Sequence, residues 1–131
     1  MRKSAIWLCV AASAAMAQYT VVPAGAPPPE VTAAFASMLQ KEGAKVVGAG
    51  NAVVCEVWFR TAAPHGPKAT EEGISIPTIP HGAFVGVLRF TGKGSDRRGQ
   101  GIEAGVYTLR YTHQPVNGDH LGVAPQRDFL V

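Results

Sequence analysis

Two stretches of this chain alternate apolar and polar residues with a period of two, a pattern that a sheet sorts onto its two faces and a helix scatters around its circumference. The first, AVVCEVWFR over residues 52–60, puts Val53, Cys55, Val57 and Phe59 on one side and Glu56, Trp58 and Arg60 on the other. The charges predict that the first side faces the core. Trp58 is then half exposed, either as cover for a neighbouring loop or as a ligand platform. The second stretch, residues 102–113, puts Tyr107, Leu109 and Tyr111 on a core side, with Thr108, Arg110 and Thr112 opposite. Between them, residues 83–90 (AFVGVLRF) are apolar on both faces until Arg89, which marks a central strand. Residues 45–48 (KVVG) and the turn Ala49-Gly50-Asn51 complete a hairpin with the first stretch.

The period changes over residues 30–42, EVTAAFASMLQKE, where Val31, Phe35, Met38 and Leu39 share one helical face, with Pro28 or Pro29 suited to the first turn and Gly43 to the C-terminal cap. This predicts an amphipathic helix of about three turns that needs a sheet to pack on. The expected fold class is therefore mainly β: an antiparallel β-sandwich or open sheet of about six strands with one N-terminal amphipathic helix. Residues 61–81 form a loop longer than the roughly 12–15 residues usual for structureless connections, which singles it out as functional or disordered. Ile74, Ile76 and Ile79 suit an edge strand there, whereas Pro77 and Pro80 deny it a place inside the sheet. Residues 93–100 form a polar turn, without the following helix that a phosphate loop requires.

Residues 1–17 combine a basic start at Arg2 and Lys3, an apolar run from Ala5 and small residues at Ala15 and Ala17, the three parts of a secretory signal cleaved before Gln18. The apolar run is shorter than the roughly 20 residues that span a bilayer as a helix, so no stable membrane span is expected after cleavage. An exported protein, periplasmic or extracellular, follows: residues 18–29 as a Pro-rich lead-in and residues 30–131 as one β-rich domain. Arg2 and Lys3 account for two of the three units of the formal +3 charge, and the remainder holds nothing that asks for a nucleic acid. Cys9 leaves with the signal. Cys55 then has no partner for an internal disulfide and reads as a small, inert hydrophobe within its strand.

The densest group of polar residues is His113-Gln-Pro-Val-Asn-Gly-Asp-His120. Asn117-Gly118 signals a type I′ hairpin turn, and that register makes His113 and His120 diagonal neighbours at roughly 7–8 Å, near enough to share a divalent metal. A catalytic metal needs a third ligand, to be supplied by His65, His81 or Asp96. The plainer reading leaves both histidines and Asp119 decorating an ordered turn, with Asp119 bonding backbone amides. Arg127-Asp128 is a candidate local ion pair, or a partner for Asp119. The serines lie in no Gly-x-Ser-x-Gly setting, and Glu71-Glu72 are adjacent where acid–base pairs need separated environments. No catalytic residue and no cofactor other than a divalent metal is proposed on these grounds. Trp58, Asn117, Asp119 and Arg127 are the candidate ligand-binding surface.

The segments Arg98-Gly99-Gln100, Gly105-Val106-Tyr107-Thr108-Leu109-Arg110-Tyr111, Gln114-Pro115, Asn117-Gly118-Asp119-His120 and Arg127-Asp128-Phe129 resemble a family of small exported bacterial proteins of unknown function, over roughly residues 46–130. The resemblance implies no catalytic residue. It implies that related chains continue beyond Asp128, and hence an incomplete last strand at Val131. The bend and strand from Glu103 to Leu109 are similar to the late strands of prealbumin-like and carboxypeptidase-regulatory sandwiches, a motif many functions use. The leading expectation is a non-catalytic binding or accessory module of the cell envelope with an unidentified envelope or extracellular partner. The alternative is a metal-binding protein or metal-dependent enzyme using His113 and His120.

Overall fold

A computed structural model describes residues 18–96, 98–122 and 124–131. The expected signal at residues 1–17 lies outside the described residues. The chain runs β1 (Thr20–Gly25), α1 (Ala33–Ala36), β2 (Gly43–Val47), β3 (Val53–Phe59), β4 (Phe84–Phe90), β5 (Gly94–Ser95), β6 (Gly101–Ile102), β7 (Gly105–His113) and β8 (Asp128–Leu130). Six strands form one sheet in the order β1-β2-β3-β4-β7-β8, and β5 and β6 pair separately. Every strand pairing among the described residues is antiparallel. The chain is thus mainly β, as its alternation predicts, and β4 lies centrally between β3 and β7. No helix among the described residues is long and apolar enough to cross a membrane.

The β2–β3 hairpin turns where expected. Gly50 and Asn51 both take positive φ, at 67° and 60°, the pair of left-handed residues that a tight hairpin turn requires.

The helix is far shorter than the apolar stripe implies. It is one turn, Ala33–Ala36, after which Met38 N–H and Leu39 N–H bond three residues back, to Phe35 and Ala36. The chain then leaves the helix because the end of β3 competes for its backbone: Gln40 N–H bonds Phe59 C=O, and Thr61 N–H bonds Met38 C=O. The stripe itself is used as predicted. Leu39 is in the core with Trp58, Phe84 and Val87, and Val31, Phe35 and Met38 pack against it. Phe35 meets Phe84 with ring centroids 4.7 Å apart.

Residues 20–25 of the expected lead-in are extended and form an edge strand, pairing with β2 from Thr20↔Val47 to Gly25↔Gly43. Trp58 explains part of this. Its indole N–H donates to Gly25 C=O at 2.8 Å, and its ring lies so close over Gly43 that a β-carbon there would collide with it.

Strand β3 therefore faces the opposite way from expectation. Trp58 is fully buried and Glu56 is 3% exposed, whereas Phe59 is 45% exposed. A charged residue in a strand ordinarily marks the solvent face. Here Glu56 is buried because Arg89, paired across at Glu56↔Arg89, donates to it through Nε and Nη2, and Lys45 approaches at 3.4 Å. The Arg89 guanidinium also lies 5.5 Å over the Trp58 ring. On β7 only Tyr111 of the three predicted core residues is buried, and Tyr107 is 38% exposed. One face of the sheet is covered by α1 and its flanks. The other carries Leu88, Tyr107, Leu109 and Tyr111, by the register Leu88↔Tyr107 and Gly86↔Leu109.

Candidate functional site

This second face has two parts, a strapped end and an open groove. At the strapped end the 61–81 loop is tied across β7 and β8, by hydrogen bonds rather than by the edge strand its isoleucines suggest. Asp128 accepts from Ser75 N–H at 3.1 Å and from the Ser75 hydroxyl at 3.0 Å. The Tyr111 hydroxyl is 2.6 Å from Asp128 Oδ2 and 3.2 Å from Ile76 C=O, and it accepts from Ile76 N–H at 3.3 Å. One phenolic hydrogen serves one acceptor best, and the shorter contact, to the charged carboxylate, takes it.

Arg127 is a second tie. It does not pair with its neighbour Asp128. It is 7% exposed, and its Nη1 donates to Glu71 Oε2 at 2.7 Å and to Glu72 C=O at 3.2 Å. Its Nε donates to Gln114 C=O at 3.0 Å, and its N–H to Gly73 C=O at 2.6 Å.

The expected pairing of His113 with His120 is absent from the strand register. β8 pairs His113 with Asp128, leaving residues 114–127 as a connection. The turn chemistry differs too: Gly118 takes a φ of 81°, but Asn117 is not among the positive-φ residues, which excludes a type I′ turn. A 3₁₀ turn, Asp119–Gly122, follows, and the side chains of Asp119 and His120 lie outside the described residues. Asn117 is exposed on the connection. Among the described side chains, the histidine that approaches His113 is His81: its Nδ1 accepts the His113 N–H at 3.1 Å, with ring centroids 5.2 Å apart. His113 Nε2 is buried with no hydrogen-bond partner among the described residues. His65 is exposed elsewhere on the loop, and no group of three or more His, Cys, Asp or Glu among the described residues is placed to hold a metal ion.

The open part is a groove of about 820 Å³ over β4, β7 and β8. Leu88, Tyr107 and Leu109 form its floor. The β5–β6 hairpin walls it with Ile102, and Leu130 and Val131 line the β8 side. Its rim is polar, with Asp96, Arg98 and Gln100 on the hairpin and Gln114 and Gln126 on the connection. The hairpin is built on Asp96, whose Oδ1 accepts from both Arg98 N–H and Gln100 N–H at 2.8 Å, and Gly94 sits where a β-carbon would press on the Phe90 ring. Of the residues predicted to bind, Trp58 is in the core beneath the covered face and Arg127 is under the strap. The groove was not anticipated; its signal was the apolar second face of β4, read as evidence of centrality alone.

Comparison with protein-family models, with curated proteins and with solved structures finds no match to this chain.

Proposed function

We propose that this chain is an exported binding or accessory module of the cell envelope, and that it holds an apolar ligand in the groove over β4, β7 and β8. The groove carries the reading. About 820 Å³ lies within the range of small-ligand sites, and an apolar floor with a few polar groups at the rim is their usual composition. The opposite face of the sheet is filled by α1 and its flanks, so apolar surface on this face has no packing role there. The strap anchors the connection that carries Gln114 and Gln126 beside the groove, through the Arg127 bond to Gln114. Export rests on the signal-like composition of residues 1–17.

The test is titration with the neutral fluorescent probe N-phenyl-1-naphthylamine. Saturable binding that weakens at least fivefold in Leu109→Ser supports the reading. Absence of binding, or binding indifferent to Leu109 and Leu88 changes, contradicts it.

The second reading, a divalent metal at His113, is favoured by one observation: the His81 ring stands against His113, whose Nε2 has no partner among the described residues. Zinc titration of the wild type and His81→Ala tests it. Equal uptake by both removes the pair from consideration.

A further inference from the structure

Resting on the reading of the groove as a ligand site, we infer that its ligand is an extended apolar peptide segment that adds to the sheet beside β7, antiparallel to residues 105–109 and in line with β8. The main chain of β7 carries this. β8 covers the outer edge of β7 only at residues 110–113, and its last bonds run both ways between Arg110 and Val131. Outward bonding alternates along a strand, so Thr108 and Val106 turn their N–H and C=O groups to that same edge, while Leu109 and Tyr107 turn theirs to Gly86 and Leu88 of β4. Among the described residues no strand pairs with this edge, and neither Thr108 nor Val106 has a hydrogen bond on that side. A row of unpaired amides and carbonyls is a template for an added strand, which here continues the β7–β8 pairing.

Cavities flank this edge on both faces of the sheet. One is the groove of about 820 Å³ over Leu88 and Leu109, and the other, beside α1, is a smaller cavity of about 180 Å³ lined by Val31, Phe35, Val87 and Val106. Tyr107 and Thr108 line both. Side chains of an extended peptide alternate between faces, so successive residues laid along the edge meet one cavity and then the other. The register fixes which. Leu130 stands opposite Tyr111 on the groove face, so peptide residues opposite Leu109 and Tyr107 enter the groove, and those opposite Thr108 and Val106 turn to the smaller cavity. A lone acyl chain or aromatic ring fills the groove and leaves the Thr108 and Val106 main chain unbonded; a peptide strand uses all three features.

The experiment is calorimetric titration of the full chain with the peptide acetyl-Val-Leu-Val-Leu-Val-Lys-Lys-amide and two isomers, N-methylated at the second and fourth or at the third and fifth residues, with amide exchange followed by NMR. Only one of these sets turns its N–H groups to β7. One-to-one binding, with one isomer binding like the parent and the other at least tenfold more weakly, and exchange at Val106 and Thr108 slowed at least tenfold, supports the inference. Two isomers that behave alike, exchange at Val106 and Thr108 unchanged by peptide, or exchange there that slows with protein concentration alone and so marks a second copy, overturns it. The groove reading survives any of these if N-phenyl-1-naphthylamine still binds in a Leu109-dependent way. Binding of neither peptide nor probe overturns both.

Discussion

Tyr111 and Asp128 are diagonal neighbours across the β7–β8 pair, and the Tyr111 hydroxyl stands 2.6 Å from the Asp128 carboxylate while its other contacts reach Ile76 of the crossing loop. One hydroxyl thus joins the last strand, its partner and the strap. Removing it in Tyr111→Phe leaves Asp128 short of a donor and Ile76 N–H without its acceptor. The expected cost is about 1–2 kcal/mol by chemical denaturation, with faster hydrogen exchange at Ser75 and Ile76 than in the wild type.

The same contact predicts opposite behaviour at the two ends of the pH scale. Burial raises the Asp128 carboxyl, but hydrogen bonds from the Tyr111 hydroxyl and from Ser75 overcome it and leave the group below its ordinary value. A depressed folded-state value means that the stabilisation is complete above the unfolded value of about 3.9 and is lost as pH falls through the folded one. Burial, then the bond to Asp128, push the Tyr111 phenol up to about 12. That contribution is complete below about 10 and is lost as pH rises toward the folded value. Denaturation measured against pH should show a weaker acid limb in Asp128→Asn and a weaker alkaline limb in Tyr111→Phe.

Arg127 holds the other end of the strap through donors to Glu71, Glu72 and Gln114. Arg127→Gln keeps polarity but loses the reach and the charge. The carbonyls of Glu72 and Gln114 lose their donor, at a cost of about 2 kcal/mol, since Glu71 is largely exposed and its ion pair adds little. Limited proteolysis should then cut within residues 61–81 first.

Trp58→Phe tests the covered face. It removes the donor to Gly25 C=O and leaves a void over Gly43. A loss of roughly 2–3 kcal/mol is expected, with β1 amides exchanging before those of β4 and β7.

Much of the sheet was legible because alternation is a local property. The central place of β4, the Ala49–Asn51 turn and the apolar stripe of Val31, Phe35, Met38 and Leu39 all follow from it. What went astray depended on partners distant in sequence. Glu56 reads as exposed until Arg89 is known to lie across from it, and the face of β3 that it shares with Trp58 is the buried one. Pairing of β8 at residues 128–130 similarly overrides the Asn117-Gly118 hairpin signal, and with it the His113–His120 register. Of the candidate surface, Arg127 reads from the sequence as a local ion pair with Asp128 or a partner for Asp119, whereas its side chain is buried against the 61–81 loop. Its partner Glu71 is 56 positions away, beyond what spacing reveals. The groove exists only once β4, β7, β8 and the β5–β6 hairpin are assembled.

The measurement closest to the central claim is methyl-resolved NMR of the full chain during titration with N-phenyl-1-naphthylamine. Saturable shifts confined to Leu88, Ile102, Leu109 and Leu130, with the Leu39 and Val87 methyls of the covered face unmoved, are the predicted result. Shifts spread over both faces, or none at the groove methyls, would contradict the account.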